Sequence, residues 1–227
     1  MSEFDEYSDT YRESVQSSID FGGQELEYYT RRKVDHLLEL TARHLDDPAR
    51  LDFLDVGCGV GETDAFLASC VGALHGVDVA SEAVARAAAR NPTVSYRAYD
   101  GDTLPYEDQA FDVAFSICVV HHVEPPHRAR FFREMRRVVR PGGLAAIFEH
   151  NPYNPLTRVA VSRCPFDEDA VLLSRRTCKR LLRGAGLAPV EAKYIVFLPF
   201  DRDIVPRIER GISWLPLGAQ HYVAARG

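Results

Sequence analysis

The chain has 227 residues, 46% hydrophobic and 26% charged, which suits one globular domain with a proper core and excludes a disordered chain. Its net charge of −6 opposes non-specific attraction to nucleic acid or to anionic membrane. Five scattered cysteines (Cys58, Cys70, Cys118, Cys164, Cys178) form no CxxC pair, so neither a disulfide scaffold nor a cysteine zinc site is supported.

Residues 1–49 read as an N-terminal helical arm. It opens on Met1-Ser2-Glu3-Phe4-Asp5-Glu6, which lacks the blocks of a secretory signal. With no apolar run near the roughly twenty residues of a membrane span, a cytoplasmic protein is expected. Between Glu25 and Leu45, Val34, Leu37, Leu38, Thr41 and Leu45 recur at helical spacing, and Asp46-Asp47-Pro48 stops the helix.

Residues 50–227 read as the core. Strands are expected over Leu51–Val56, Ala73–Val79, Val94–Tyr99 and Phe111–Ile117, with helices over Glu62–Cys70, Ser81–Arg90 and Arg128–Val139. Pro141-Gly142-Gly143 turns the chain into a strand over Leu144–His150. Residues 151–173 carry Pro152, Pro155 and Pro165 and read as irregular, an insertion within the core. A helix over Ser174–Ala185 and strands over Leu187–Leu198 and Leu217–Ala225 complete the chain. Such alternation builds an α/β fold, a parallel sheet covered on both faces.

The sharpest local signal is Leu54-Asp55-Val56-Gly57-Cys58-Gly59-Val60-Gly61-Glu62-Thr63. A strand runs straight into a glycine-rich turn, where backbone can approach a ligand closely. Position 62 is Glu where a dinucleotide fingerprint needs its third glycine, and no GK[ST] follows. Asp78 lies about twenty residues on, placed to accept ribose hydroxyls or to cap the next helix. Asp100-Gly101 ends the third strand, placed to read an adenine edge or to make a turn. Together the three strand ends describe an adenosine-shaped groove.

At these residues the chain resembles the class I S-adenosylmethionine-dependent methyltransferases, in their type 11 small-molecule branch. The pattern continues with Gly76-Val77-Asp78, Leu104-Pro105-Tyr106, Phe111-Asp112, Val120-His121-His122 and Arg140-Pro141-Gly142-Gly143. The resemblance is strong over about 51–150. It implies a Rossmann-like, mostly parallel seven-stranded sheet of order 3-2-1-4-5-7-6, with strand 7 antiparallel and helices on both faces. It also implies S-adenosylmethionine as cofactor and S-adenosylhomocysteine as product. Asp55 and Gly57 would hold the methionine end, with Gly59 and Gly61 allowing close approach. Asp78 would take the ribose, Val79 would pack on adenine, and Asp100 with Gly101 would read its edge. Ile117 and Cys118 would lie under the methionine moiety. Tyr29, Arg32 and Lys33 are candidates for its carboxylate, or simply a solvated basic helix start.

If the acceptor is a hydroxyl or ammonium, a base must take its proton, and a histidine suits that task. His122 is the first candidate, ahead of His121 and His150. Nothing fixes a metal geometry at His121, His122 and His127, and no metal is assigned. Asn151-Pro152-Tyr153 is similar to the Asn-Pro-Pro-Tyr motif of DNA and protein-amide methyltransferases, but follows strand five and lacks a proline. Cys118 sits where cytosine-5 methyltransferases carry their nucleophile, but Ile117 replaces the preceding proline. Tyr153, Asn154 and Arg158, with Cys164–Leu173 and the arm, are expected to form an acceptor lid. The function expected is methylation of a small-molecule acceptor in metabolite biosynthesis, without nucleic acid or membrane as partner and with a homodimer left open. The alternatives are an RNA or protein methyltransferase, or a catalytically silent scaffold.

Overall fold

The computed structural model describes residues 11–19, 25–198 and 205–227. The strands are β1 (Asp52–Val56), β2 (Ala73–Asp78), β3 (Ser95–Ala98), β4 (Phe111–Ile117), β5 (Val139–His150), β6 (Ala188–Ile195) and β7 (Gln220–Arg226). The helices are α1 (Tyr11–Ile19), α2 (Leu26–His44), α3 (Asp64–Leu67), α4 (Ser81–Arg90), α5 (Arg128–Val138), α6 (Pro155–Arg163), α7 (Arg175–Gly184) and α8 (Val205–Ile212). The strands form one sheet in the order β3-β2-β1-β4-β5-β7-β6. Neighbours from β3 to β5 are parallel, and β7 runs antiparallel to both β5 and β6. This is the expected order and the expected antiparallel strand.

Successive side chains alternate across a strand, so each strand feeds two cores. Leu54 and Val56 of β1 enter one face with Phe131, Phe132 and Met135 of α5 and Leu182 of α7. Phe53, Phe115 and Phe148 enter the other with Val34, Leu37 and Leu40 of α2 and Leu67 of α3. The apolar spacing read in the arm is thus the stripe by which α2 packs on the sheet. Leu38 and Leu45 sit at its margin. The helix ends where Leu45 N–H donates to Thr41 O, and Asp47 then accepts from Ala49 N–H.

Four elements differ from expectation. The Glu62–Cys70 helix contracts to α3, because the glycine loop occupies its first turn and its end tightens to Cys70 N–H donating to Leu67 O. β5 begins at Val139 rather than Leu144 and crosses Pro141-Gly142-Gly143 with a register shift opposite Phe111 and Val113. α8 was not anticipated; its buried Glu209 pairs with Arg32 of α2 and accepts from Phe197 N–H. Residues 151–173 contain α6, read as irregular because prolines usually break helices. Pro155 sits in the first turn, where its missing N–H costs no bond, and Asn154 caps the helix by accepting from Thr157 N–H. Asn154→Ala should therefore cost about 1 kcal/mol, a melting-temperature fall of about 2–4 °C in calorimetry. An unchanged melting temperature would remove the cap role.

All five cysteines are free. No described helix is long and apolar enough to cross a membrane. Because β1 lies between β2 and β4, the chain reverses its winding there, and the carboxyl ends diverge into a crevice.

Candidate active site

That crevice is a cleft of about 540 Å³, lined by the loops after β1, β2, β3 and β4 and by Leu26, Thr30 and Lys33 of α2. β1 ends on Asp55 and runs into the glycine loop. Gly57 has φ +88°, and a Cβ there would fall 2.5 Å from Val119 Cγ2, so only glycine lets the two loops close together. Gly59 lines the cleft beside it. Gly61 does not, for a Cβ there would strike Asn91 Nδ2 at 2.5 Å; it is a packing glycine against α4.

Asp78 lines the cleft but does not sit at the N-cap of α4, which is Ala80. Its carboxylate ties the loop, accepting from Gly59 N–H at 2.8 Å and from Ala80 N–H at 2.9 Å. Val79, Asp100 and Gly101 continue the same wall. Asp100 is exposed and accepts from Asp102 N–H at 2.8 Å and Thr103 N–H at 3.1 Å, bonds that hold its pKa below the usual value. Its turn role is therefore present alongside its place on the wall. Arg130 pairs with Asp102 at the rim.

Asp55 is buried, and its Oδ1 has no hydrogen-bond partner among the described residues. Burial, then the neighbouring Asp64 carboxyl, push its pKa well up. Asp64 is itself buried, pushed up to about 6, and accepts from the Tyr96 hydroxyl at 2.7 Å. Asn91 completes this patch by donating to Gly61 O and to Tyr96. The sequence reading missed Asp64, Tyr96 and Asn91. The available signal was a carboxylate three residues after Gly61, on the inner side of a helix that packs against the sheet.

Of the three arm candidates, Lys33 alone faces the cleft, 7% exposed and close enough to draw the Asp55 pKa down. Tyr29 packs edge-on against Tyr28 at the margin of the core, and Arg32 turns to Glu209. Ile117 and Cys118 line the floor. Cys118 has φ +57°, and burial pushes its thiol pKa up, which suits a packing residue and not a nucleophile.

The three histidines separate. His122 lines the cleft, and burial followed by the charge of His121 lowers its pKa to about 4, so the imidazole is neutral. His121 lies behind it. Burial opposes its charge, but Glu149 at 2.6 Å from Nδ1 and Asp167 at 3.3 Å from Nε2 outweigh that and raise it to about 10. His150 is lowered to about 4 by burial and by His121. Neither His121 nor His150 lines the cleft, which narrows the base candidates to His122.

The expected lid residues do not meet the cleft either. Tyr153 is 63% exposed, Asn154 caps α6 and donates to Leu217 O, and Arg158 lies outside the lining. Phe166, from the 3-10 turn Pro165–Asp167 of the same insertion, does line it. Its partners on the wall include Val123, His127 and Phe131, none of which had been anticipated there.

This donor set fits S-adenosylmethionine. The buried Asp55 Oδ1, with no partner among the described residues, would suit an ammonium, and Asp78 at the end of β2, tied to the glycine loop, would suit a ribose diol. A pyrophosphate would find two carboxylates and a helix of only four residues beyond the loop.

Comparison with known proteins agrees. Residues 54–147 match the model of a methyltransferase domain. Methyltransferase GfsG of Streptomyces halstedii is 39% identical over 120 residues, 50% of this chain and 42% of that protein. Norajmaline N-methyltransferase of Rauvolfia serpentina is 34% identical over 159 residues, 66% of this chain and 52% of that protein. The chain thus spans about half the length of these relatives. A chain in the structure of a Haloferax volcanii complex, between the Trm112 methyltransferase activator and a methyltransferase, superposes with a TM-score of 0.69 at 21% identity. The match covers 100% of this chain and 98% of that one, and it speaks for the fold. Residues 54–147 thus match a methyltransferase domain, and the sheet order and glycine loop around them are those of the class I S-adenosylmethionine-dependent methyltransferase fold.

Proposed function

We propose that this protein methylates a small-molecule acceptor, in metabolite biosynthesis in the cytoplasm, with S-adenosylmethionine as donor. The observation that carries the reading is the pairing of two carboxylates in one cleft, the buried orphan of Asp55 and the loop-tying Asp78. An unpaired buried acceptor costs about 1–3 kcal/mol, and a cationic ligand relieves that cost.

When bound, S-adenosylmethionine supplies a methyl group on a sulfonium that departs as a neutral thioether. Alignment and exclusion of water are the work of the chain. Asp55 orients the ammonium end, and Lys33 offers a cation to the carboxylate beside it. Phe166, Val123 and Phe131 give the cleft apolar walls. His122, neutral and facing the cleft, accepts the proton of an acceptor hydroxyl as the bond from oxygen to the methyl carbon forms, or takes the proton of an acceptor ammonium first and so frees the lone pair that then attacks. The name of the norajmaline relative, a small-molecule N-methyltransferase, supports an acceptor of this class.

Calorimetry tests the donor. S-adenosylmethionine and S-adenosylhomocysteine should bind with Kd of about 1–100 µM, and NAD at least about a hundredfold more weakly. Comparable NAD affinity, or no binding of either sulfur compound, overturns the reading. The Haloferax volcanii neighbour is in complex with an activator protein, which makes a protein partner of this chain the second reading. The net charge of −6 opposes an RNA substrate.

A further inference from the structure

Behind the cleft wall, nitrogen and oxygen donors converge at the ends of β4 and β5. His121 follows β4, His150 ends β5, and Asp167 comes from the 3-10 turn after α6. Each offers one ligand atom, and the three atoms lie within 4.8 Å of one another. His121 Nε2 stands 3.3 Å from Asp167 Oδ1. A charge-assisted hydrogen bond contracts to about 2.7–2.9 Å. Two ligands on one tetrahedral ion, each bonded at about 2.0–2.1 Å, stand about 3.3–3.4 Å apart. The His121–Asp167 spacing matches a shared ion.

The orientation of His121 agrees. Its Nδ1 is 2.6 Å from Glu149 Oε2, the outer contact that leaves the Nε2 lone pair directed at a metal. Charge agrees as well. Glu149 and Asp167 bring two negative charges into a site where His121 and Glu149 are fully buried. A proton on His121 would balance one of them. Arg128, the nearby guanidinium, gives its donors to the carbonyls of His121, Val123 and Val171. A divalent ion among neutral imidazoles balances both carboxylates.

We propose that His121, His150 and Asp167 form a binding site for a divalent transition-metal ion, with Zn²⁺ the first candidate. Two imidazoles and one carboxylate favour zinc, cobalt or iron over magnesium or calcium. The ion clips the Pro165–Asp167 turn to the ends of β4 and β5, and so fixes Phe166 on the cleft wall. His122, which lines the cleft, has Nε2 3.4 Å from the same Asp167 oxygen.

The test uses tag-free protein, stripped with a chelator and titrated with Zn²⁺ alone. One equivalent per chain should bind with Kd below about 1 µM. His150→Ala and Asp167→Asn should each weaken binding at least about tenfold, with circular dichroism checking that the variants fold. Co²⁺ in the wild-type protein should give four-coordinate d–d bands without thiolate charge transfer, a readout that needs no variant. Less than about 0.2 equivalents of zinc, undiminished binding in both folded variants, or a thiolate band from Cys118 or Cys164 overturns the proposal.

Discussion

His122→Ala is expected to lower kcat at least about a hundredfold while S-adenosylhomocysteine affinity stays within about twofold, because a positioned base contributes about 10²–10⁴-fold. Of the three histidines at the ends of β4 and β5, it is the one that faces the cleft. His121 is held between Glu149 and Asp167 and has no path to a ligand in the cleft. His122→Asn separates the two roles of the ring. Asparagine retains a polar group of similar reach without the basicity, so it should share the loss if proton transfer is the task. The measurement is single-turnover methyl transfer beside calorimetry of cofactor binding. A loss below about tenfold in both variants would mean that alignment alone carries the reaction.

Asp78→Ala is expected to weaken S-adenosylhomocysteine binding by about 1.5–3 kcal/mol, roughly ten- to a hundredfold. The substitution removes the acceptor proposed for a ribose diol. It also frees Gly59 N–H and Ala80 N–H, both of which the carboxylate now holds. Asp78→Asn keeps an acceptor for the loop but loses the charge, so its effect should fall between wild type and alanine. Affinity unchanged in the alanine variant would exclude Asp78 from ligand binding and leave it as a loop tie.

Much of this site was legible because its signals are local. The Gly57–Gly61 loop and Asp78 each follow a strand whose end could be read from a few neighbouring residues. The buried patch beside them could not be read that way. Asp64 meets Tyr96 across thirty-two residues, and Asn91 meets Gly61 across thirty, so only the folded sheet joins them. His121 and His122 are identical side chains at adjacent positions. What separates them is the backbone turn after β4, where Cys118 takes φ +57°, and composition carries no trace of it. In α6 the difficulty was the meaning of proline. Pro155 opens a helix, whereas Pro152 lies in the turn before it. Phe166 escaped notice because a lone aromatic in an irregular stretch has no periodicity to place it.

The two walls of the cleft are unequally free to change over evolutionary time. Thr30 and Lys33 project from the same buried stripe of α2 as Val34, Leu37 and Leu40, which is locked into the sheet core. A shift of that helix to suit a new acceptor would disturb packing throughout one face of the protein. Phe166 stands on a short turn flanked by the exposed residues Pro165 and Glu168. Substitution of Phe166 itself can alter what the cleft admits while Asp167 beside it keeps the turn on His121 and His122. Descendants of this fold that exchange one acceptor for another should therefore diverge first around residue 166 and last along α2.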